Sequence, residues 1–237
     1  ATATARKVTD RALNGTVDSP AWLDDRTIIA SLVPAARGAA PLPPAVPSGP
    51  TVQENLGGKR PARTYPDMLA SAYDEALFEH YATSELVLVS LDGTVQPLGL
   101  RGLIGNALAS PDSQYVLVTA WSRPYSYLVP AYRFPTRIMV YDRRGKLVHS
   151  VADLPLAENI PIPTGSVRTG PRNVGWRADA PATLSWVEAV DGGDAAREAA
   201  WRDEWFVHAA PFAGAPVSLQ KFALRVAGVT WGDDRHA

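Results

Sequence analysis

One short pattern recurs along this chain at uneven intervals and constrains its fold more than any other feature. In each copy a Trp or a Ser-Pro pair leads into an acidic turn beside a run of apolar and β-branched residues. The copies lie at 21–25, 109–113, 175–179 and 229–234. Repetition of strand, acidic turn and strand over tens of residues indicates the blades of a β-propeller. The pattern predicts an all-β chain forming part of a propeller, with Trp22, Trp176 and Trp231 as equivalent core residues.

Further strands are predicted between the copies, because runs rich in Val, Ile and aromatic residues end at turns such as Asp92-Gly93. They lie at 85–90, 95–98, 115–120, 137–141, 146–151, 183–190, 205–209 and 217–222. Together the hairpins make about three blades, whereas a closed propeller needs about four to eight. The last copy stops almost at the C-terminus, and residues 6–10 resemble the outer end of a blade. We therefore expect a piece of a longer propeller.

Two segments break the strand pattern. Residues 34–63 hold many prolines among Gly and Ala, so they are predicted to form a Pro-rich extended loop. Residues 64–82 are predicted to form a short helical insertion, with Thr64 as the N-cap and one buried stripe of residues three and four apart. The stripe comprises Leu69, Ala72, Tyr73, Ala76, Leu77, His80 and Tyr81. Insertions in repeat arrays tend to gather on one face, often the binding face.

Composition excludes several classes of function. The 23 basic and 24 acidic side chains give a net charge of -1, which offers no electrostatic basis for binding nucleic acid or an anionic membrane. No apolar run approaches the ~20 residues of a membrane span. The absence of cysteine excludes disulfides and thiolate chemistry. No nucleic-acid or membrane partner is therefore predicted, while the compartment and the oligomeric state stay open.

Side chains suited to catalysis or metal binding are sparse. The four histidines are predicted to be structural or exposed, because no Ser lies in an activating context. They are His80, His149, His208 and His236. Asp191 and Asp194 flank two glycines, but two carboxylates are too few for calcium, so a tight hairpin turn is predicted there. We therefore predict no catalytic residue, no metal and no cofactor in this chain.

Several long blocks, taken in order, resemble one family. They lie at 81–95, 123–135, 153–162 and 176–195. They resemble the propeller of glutamyl endopeptidases, serine peptidases of the prolyl oligopeptidase family, and the likeness extends over nearly the whole chain. The resemblance implies an N-terminal propeller that gates the access of peptide substrates to a C-terminal α/β-hydrolase domain with a Ser-Asp-His triad. It also implies cleavage of peptides after glutamate.

The chain departs from that family in one respect, because it contains no Gly-x-Ser-x-Gly motif. This strained turn exposes the nucleophile of α/β-hydrolases and supplies part of the oxyanion hole. The nearest string, at 164–168, lacks the second glycine. We therefore expect residues 1–237 to be a fragment of the N-terminal propeller domain, with the hydrolase domain of the same polypeptide outside this sequence.

A long connection in the middle of the chain, rich in Arg and aromatic residues, carries the candidate substrate-binding residues. Arg123, Tyr125 and Arg133 are predicted to line a cavity facing the hydrolase domain, where an arginine fork would hold the acidic side chain of a substrate. Arg168 and Arg172, in a second Pro- and Gly-rich loop, are weaker candidates for the same role. Alternatively, these arginines pair with carboxylates between blades and the tyrosines contribute to packing.

Two other functions stay open. The first is a dipeptidyl or acylaminoacyl peptidase, in which an acidic pair binds the amino terminus of the substrate. Asp74 and Glu75 of the predicted helix are the candidates for that pair, although adjacent helical residues are more often solvated. The second is a non-catalytic binding propeller that has no peptidase domain.

Overall fold

The structure is a computed structural model that describes residues 5–45 and 65–232. Most of the predicted Pro-rich loop, Thr64, His236 and the end of the last motif lie outside the described residues. Within these ranges the chain forms one α-helix, α1 (Ala72–Ala82), and a 3-10 turn at Ala131–Arg133. The strands are β1 (Ala21–Asp24), β2 (Thr27–Leu32), β3 (Thr83–Ser90), β4 (Val95–Ala109), β5 (Tyr115–Trp121), β6 (Thr136–Asp142), β7 (Leu147–Leu154), β8 (Arg172–Trp176), β9 (Thr183–Ala189), β10 (Asp203–Ala209) and β11 (Val217–Phe222). Across the described ranges, no helix has the length and apolar character of a membrane span.

The strands form two antiparallel sheets. Strands β1 to β7 follow one another in chain order as a seven-stranded meander, and the second sheet has the order β11-β10-β9-β8. The prediction of a mainly β chain is therefore confirmed, as is the pairing of β10 with β11 around Gly214. Both sheets are open within the described residues.

Strand β4 is much longer than predicted and folds back in its middle. Its first half, up to Leu103, pairs with β3, and its second half pairs with β5, with bulges in both pairings. A straight strand of 15 residues would separate its ends by roughly 45 Å. Yet Arg143 reaches both ends, because its backbone oxygen accepts from Gln96 Nε2 at 2.9 Å and its Nη1 donates to Ser113 O at 3.3 Å. β4 is therefore the last strand of one layer and the first strand of the next.

Three four-stranded layers result, with apolar cores between them. The first core joins the layer β1–β4 to the next layer through residues such as Leu88 and Val116. On the opposite face of β5 and β6, Leu117 and Val140 pack with Leu184 of β9 in a second core. Because successive side chains of a strand point to opposite faces, β5 contributes to both cores. Burial on both faces explains why Val116, Leu117 and Val118 are consecutive apolar residues.

The connections divide into short turns at one end of the layers and longer segments at the other. Several short turns meet around Arg143, whose Nη2 lies 2.8 Å from Asp24 Oδ2. The β4–β5 turn adjoins the β8–β9 turn, where Asp112 N donates to Pro181 O at 2.8 Å. The opposite end carries α1 and the three long connections between β5 and β6, β7 and β8, and β9 and β10. It is named here the loop-rich end.

The helix begins later than predicted and is held differently. Ser71 is its N-cap: the Ser71 hydroxyl accepts from Asp74 N at 3.2 Å and donates to Asp74 Oδ2 at 3.0 Å. The predicted buried stripe is wrong, because Tyr81 is 47% exposed and most of the helix is only half-buried. Phe78, which does not belong to that stripe, makes the aromatic contacts instead. Charged and aromatic contacts, rather than an apolar face, hold α1.

The motif tryptophans lie in three different environments. Trp22 is 59% exposed, so the prediction that it is a core residue is wrong; β1 lies at the edge of its sheet. Trp176 is half-buried, and its Nε1 donates to Leu108 O at 3.0 Å, which links β8 to β4. Trp231 packs on Trp205, with ring centroids 4.9 Å apart. Tryptophans at equivalent positions of the repeated motif are therefore not equally buried.

Candidate functional site

At the loop-rich end, Arg123 holds α1 by charge. Its Nε donates to Glu79 Oε1 at 2.7 Å, and its Nη1 pairs with Glu75. Glu75 and Glu79 are four residues apart, so they project from the same side of the helix. Hydrogen bonds that Arg123 donates to Glu79 and Glu75 raise the pKa of Arg123, and the hydrogen bond from Arg123 lowers the pKa of Glu79. Arg123 is thus neutralised within the chain, by the inserted helix rather than between sheets.

Tyr125 belongs to the same contact. Its hydroxyl donates to Glu79 Oε1 at 2.7 Å, and its ring packs edge-on against Phe78 with centroids 5.4 Å apart. Phe134, near the other end of the same connection, packs against both rings. Burial and then the hydrogen bond to Glu79 raise the pKa of Tyr125. Glu75, Glu79, Arg123 and Tyr125 are named here the helix clamp.

A residue near the N-terminus fixes the junction between α1 and β3. Asn14 is 4% exposed, and its Nδ2 lies within 3.0 Å of Tyr81 O, Thr83 O and Ser84 Oγ. An amide nitrogen has two N–H donors, which here serve three acceptors at one point of the chain. The sequence analysis missed Asn14, because a lone asparagine gives no sign that the fold brings it to a helix end.

Arg133 and Arg168 form a second group at the loop-rich end. The 3-10 turn places Arg133 just before β6, where its backbone oxygen accepts from Ala157 N at 2.9 Å. Arg168 Nη2 donates to Pro155 O at 2.8 Å. Both residues therefore flank the short segment that follows β7. The structure thus places these two predicted residues against the same segment, whereas Arg123 faces α1.

Neither Arg133 nor Arg168 forms a salt bridge with a carboxylate in the part of the chain that the structure describes. The guanidinium carbon of Arg133 lies 5.5 Å from the ring centroid of Tyr65 and 6.0 Å from that of Tyr132. Its Nε is buried and has no hydrogen-bond partner among the described residues. Burial and then the charge of Arg133 lower the pKa of Arg168. Both arginines are therefore half-buried without a described counter-ion.

The weaker candidate Arg172 belongs to a third group, a buried ion network in the sheet β8–β11. The side chains of Asp191 and Asp203 are 0% exposed, and Arg225 bridges them at 2.6 and 2.8 Å. Arg202 pairs with Asp191 at 2.9 Å. Arg172 pairs with Asp203 at 2.7 Å. Burial raises the pKa of Asp191, but hydrogen bonds from Arg225 and Arg202 outweigh it and lower the pKa to about 2. The network ties the chain that follows β11 to the sheet.

The tight hairpin turn predicted at the Asp-Gly-Gly-Asp string is wrong, because β9 and β10 are joined by a long connection. A local turn does form, since Asp191 Oδ1 accepts from Gly193 N at 3.0 Å. Gly193 has a φ of +77°, and a Cβ there would lie 2.1 Å from Val167 O. Val167 N also donates to Gly193 O at 2.9 Å. The turn therefore joins two long connections of the loop-rich end.

The three described histidines make contacts with aromatic rings. In the two described ranges, no group of three or more His, Cys, Asp or Glu is placed to hold a metal ion. His80 packs edge-on against Tyr81. His149 of β7 and His208 of β10 meet between two layers with ring centroids 5.0 Å apart, and Phe212 stacks on His149. Burial and then the neighbouring His208 lower the pKa of His149.

Sequence comparison identifies two relatives over nearly the whole chain. The chain is 44% identical over 225 residues, 94% of its length, to the "Probable glutamyl endopeptidase, chloroplastic" of Oryza sativa subsp. japonica. It is 44% identical over 228 residues, 95% of its length, to the protein of the same name from Arabidopsis thaliana. This chain is homologous to one part of each of these two glutamyl endopeptidases. No protein-family model and no solved structure matches it.

The resemblance to glutamyl endopeptidases, inferred from the long blocks of sequence, is thereby confirmed. The chain spans 24% of the length of each glutamyl endopeptidase that it matches. The Gly-x-Ser-x-Gly motif is absent from all 237 residues. The loop-rich end presents guanidinium and phenol groups, of which Arg123 and Tyr125 contact α1.

Proposed function

We propose that this chain is the propeller segment of a serine endopeptidase of the prolyl oligopeptidase family that cleaves peptides after glutamate. The observation that carries the proposal is the 44% identity over 94% and 95% of the chain to two proteins named as glutamyl endopeptidases. The nucleophile and the rest of the triad belong to an α/β-hydrolase domain of the same polypeptide. The segment itself controls access, contacts that domain and helps to bind the peptide substrate.

The layered architecture supports the propeller part of the proposal. Propeller blades are four-stranded sheets, and each of the three layers has four strands once β4 is counted in two of them. The apolar cores lie between successive layers, as expected where each repeat contacts only its neighbours. On this proposal the layers are three blades, and further blades of the polypeptide complete the ring.

The loop-rich end is the side that we propose to face the peptide and the hydrolase domain. Binding residues are found disproportionately on loops that a rigid scaffold positions. Each of the four candidate binding residues lies in a long connection at this end: Arg123, Tyr125, Arg133 and Arg168. Long connections around a ring restrict access to short or unfolded peptides, which is the proposed gating role.

The contacts of Asp74 and Glu75 disfavour the exopeptidase alternative. Asp74 Oδ2 accepts from Ala70 N at 2.9 Å and from the Ser71 hydroxyl at 3.0 Å. Glu75 pairs with Arg123. Both carboxylates are therefore engaged within the chain rather than directed toward the amino terminus of a substrate.

An assay of the whole protein tests the proposal. The substrates are two peptides that differ only by Glu or Gln before the bond to be cleaved, each with a free and with a blocked amino terminus. We expect cleavage after Glu with either amino terminus, and loss of activity with a serine-directed phosphonate inhibitor. A requirement for a free amino terminus would assign the protein to the exopeptidases. Absence of both cleavage and inhibitor labelling would leave a binding propeller as its function.

A length series tests gating separately. Short peptides and an unfolded polypeptide that contain the same cleavage sequence are compared with a folded protein that displays it on its surface. We expect cleavage of the short and unfolded substrates and protection of the folded one. Equal cleavage of all of them contradicts the gating role but leaves the peptidase assignment intact.

A further inference from the structure

We propose that Arg133 and Arg168 form a two-arginine site for one carboxylate, and that this carboxylate is the acidic side chain of the bound peptide. The inference rests on the proposed function and deepens it, because it assigns specificity to these two residues. It also separates them from Arg123 and Tyr125, which position α1.

The first argument concerns charge. Most other half-buried arginines of the described chain have carboxylate partners, such as Glu85 for Arg11, Asp24 for Arg143 and Asp179 for Arg177. Arg37 is an exception, and its Nη2 donates to Tyr81 O at 3.3 Å. Arg133 and Arg168 have none there, although both are half-buried. The two arginines contact one short segment, at Pro155 O and Ala157 N, and partial burial weakens the screening of their mutual repulsion by water. A carboxylate that joined them would relieve the repulsion on both.

The second argument concerns unsatisfied hydrogen-bond donors. A guanidinium has five N–H donors, and its charge cannot be removed at physiological pH. Arg168 uses one of its nitrogens on Pro155 O at 2.8 Å. The Nε of Arg133 is buried and finds no acceptor in the described part of the chain. A buried donor without a partner is costly, which favours a ligand that supplies acceptors. A carboxylate has two oxygens and can accept from both arginines at once.

The third argument concerns placement. The backbone of Arg133 is fixed by Ala157 N at 2.9 Å and by Pro130 O, to which Arg133 N donates at 2.9 Å. Its guanidinium lies beside the rings of Tyr65 and Tyr132, which restrict where it points. A charge that is positioned before the ligand arrives loses less freedom on binding. Arg133 is therefore preorganised at the loop-rich end, next to the helix clamp.

The helix clamp explains why Arg123 is not part of this site. Its Nε and Nη1 already contact Glu79 and Glu75, so a substrate carboxylate would have to displace two carboxylates of the chain. Tyr125 donates its hydroxyl proton to Glu79. Arg123 and Tyr125 therefore act as positioning residues for α1, whereas Arg133 and Arg168 retain the capacity to bind an anion.

The test compares Arg133→Ala, Arg168→Ala and the double variant with the unaltered whole protein. The readout is the ratio of kcat/KM for the Glu peptide to that for the matched Gln peptide. Because each arginine contributes a charge-assisted hydrogen bond, we expect each single change to lower this ratio about 10- to 100-fold. We expect Lys at either position to restore part of it, since an ammonium keeps the charge but loses the fork.

Arg144→Ala is the matched control. It removes the same charge from an exposed turn between β6 and β7, at the end opposite the loop-rich end. We expect it to leave the ratio unchanged. Thermal unfolding of every variant checks that the fold is retained.

Two results would overturn the inference. An unchanged ratio in the double variant shows that the arginines do not bind the substrate carboxylate. An equal loss with the Glu and Gln peptides shows instead that they pair with a carboxylate elsewhere in the polypeptide.

Failure of the proposed function is recognised separately. If the whole protein cleaves neither peptide, the equilibrium binding of the Glu and Gln peptides is measured instead. A preference for the Glu peptide that disappears in Arg133→Ala supports the site even without catalysis. Equal binding of the two peptides by the unaltered protein contradicts the site.

Discussion

At the scale of single residues, the surroundings of each arginine depend on whether the fold brings a carboxylate to it. Arg225 lies 14% exposed between two fully buried aspartates, so its charge is compensated where water is excluded. Arg133 lies among aromatic rings and has no described carboxylate partner. The same residue type is thus paired with carboxylates in one place and surrounded by aromatic rings in another. A buried pair is strongly destabilised when one partner is removed, because the other is left uncompensated.

Asp191→Asn is therefore expected to lower the free energy of unfolding by about 3–5 kcal/mol. The change removes the charge that Arg202 and Arg225 share, while the size of the side chain stays the same. Equilibrium unfolding in urea measures the loss. Asp25→Asn, in the exposed β1–β2 turn, is the matched control and is expected to change the stability by less than about 0.5 kcal/mol. Equal midpoints for the two variants contradict a stabilising role for the network.

The same carboxylate gives an expected acid dependence. The pKa of Asp191 is lowered from 3.8 to about 2 in the folded protein, so the unfolded chain binds its proton first as the pH falls. The contribution of Asp191 is complete above about pH 4 and is lost as the pH falls toward 2, a change of about 2 kcal/mol. Urea unfolding at stepped pH measures this loss. Asp191→Asn should lack this part of the pH dependence, and its persistence in the variant would assign it to other groups.

At the scale of elements, α1 is attached by contacts that are partly exposed. Arg123 is 51% exposed and Glu79 is 39% exposed. Exposed ion pairs contribute only about 0–1 kcal/mol, so the helix clamp orients the helix more than it stabilises the protein. Asn14 and the Ser71 cap fix the two ends of α1. Hydrogen bonds thus hold α1 at both ends, and the helix clamp orients it through one side of the helix.

Arg123→Ala is expected to raise the rate of amide hydrogen exchange in α1 while lowering the global free energy of unfolding by less than about 1 kcal/mol. The local effect follows because Glu75 and Glu79 both lose their partner. Hydrogen exchange read by mass spectrometry on peptides covering 72–82 is the measurement. Arg101→Ala, which removes an exposed arginine from β4, is the control and should leave that exchange unchanged. Unchanged exchange in Arg123→Ala contradicts the role of the clamp.

The contact between β7 and β10 is expected to weaken below neutral pH. The pKa of His149 is lowered in the folded protein, so the unfolded chain takes up the proton first. The contribution of neutral His149 to the free energy of unfolding is complete above the pKa of about 6.5 that it has in the unfolded chain. This contribution declines as the pH falls below that value. His149→Phe keeps an aromatic ring against Phe212 and removes the titration. Unfolding in urea at pH 7.5 and 5.5 should show a smaller pH dependence for the variant, and an equal dependence contradicts this account.

At the scale of the whole molecule, stability depends on close approach between layers. The β6–β7 turn of the second layer rests on β4, where a Cβ at Gly145 would lie 2.1 Å from Leu98 O. Gly145 also has a φ of +81°, which side chains rarely adopt. Glycine at this turn thus lets the first two layers meet without a gap. Such contacts make the layers depend on one another for their stability.

Gly145→Ala is therefore expected to destabilise the protein by about 3 kcal/mol or more, since the turn must move away from β4. Gly214→Ala is the matched control: its φ of +76° is similar, but nothing lies within 4 Å of the added Cβ. In the control, the free energy of unfolding should fall only by the cost of the strained backbone, about 1 kcal/mol. Thermal unfolding compares the two variants. A similar loss in both would show that strain, not the approach of the layers, is the cause.

The sequence by itself determined the β character, most strands and the family likeness, because strand patterns and turn residues act over a few neighbouring positions. It did not predict the fold-back of β4, the exposure of Trp22 or the burial of Asp191, since each depends on which distant segments pack together. Hairpin partners lie close in sequence, whereas Asn14 meets the helix end 67 residues away. The candidate binding residues lie in separate groups for the same reason. Only the tertiary structure decided that Arg123 meets two glutamates, while Arg133 and Arg168 both contact the segment that follows β7.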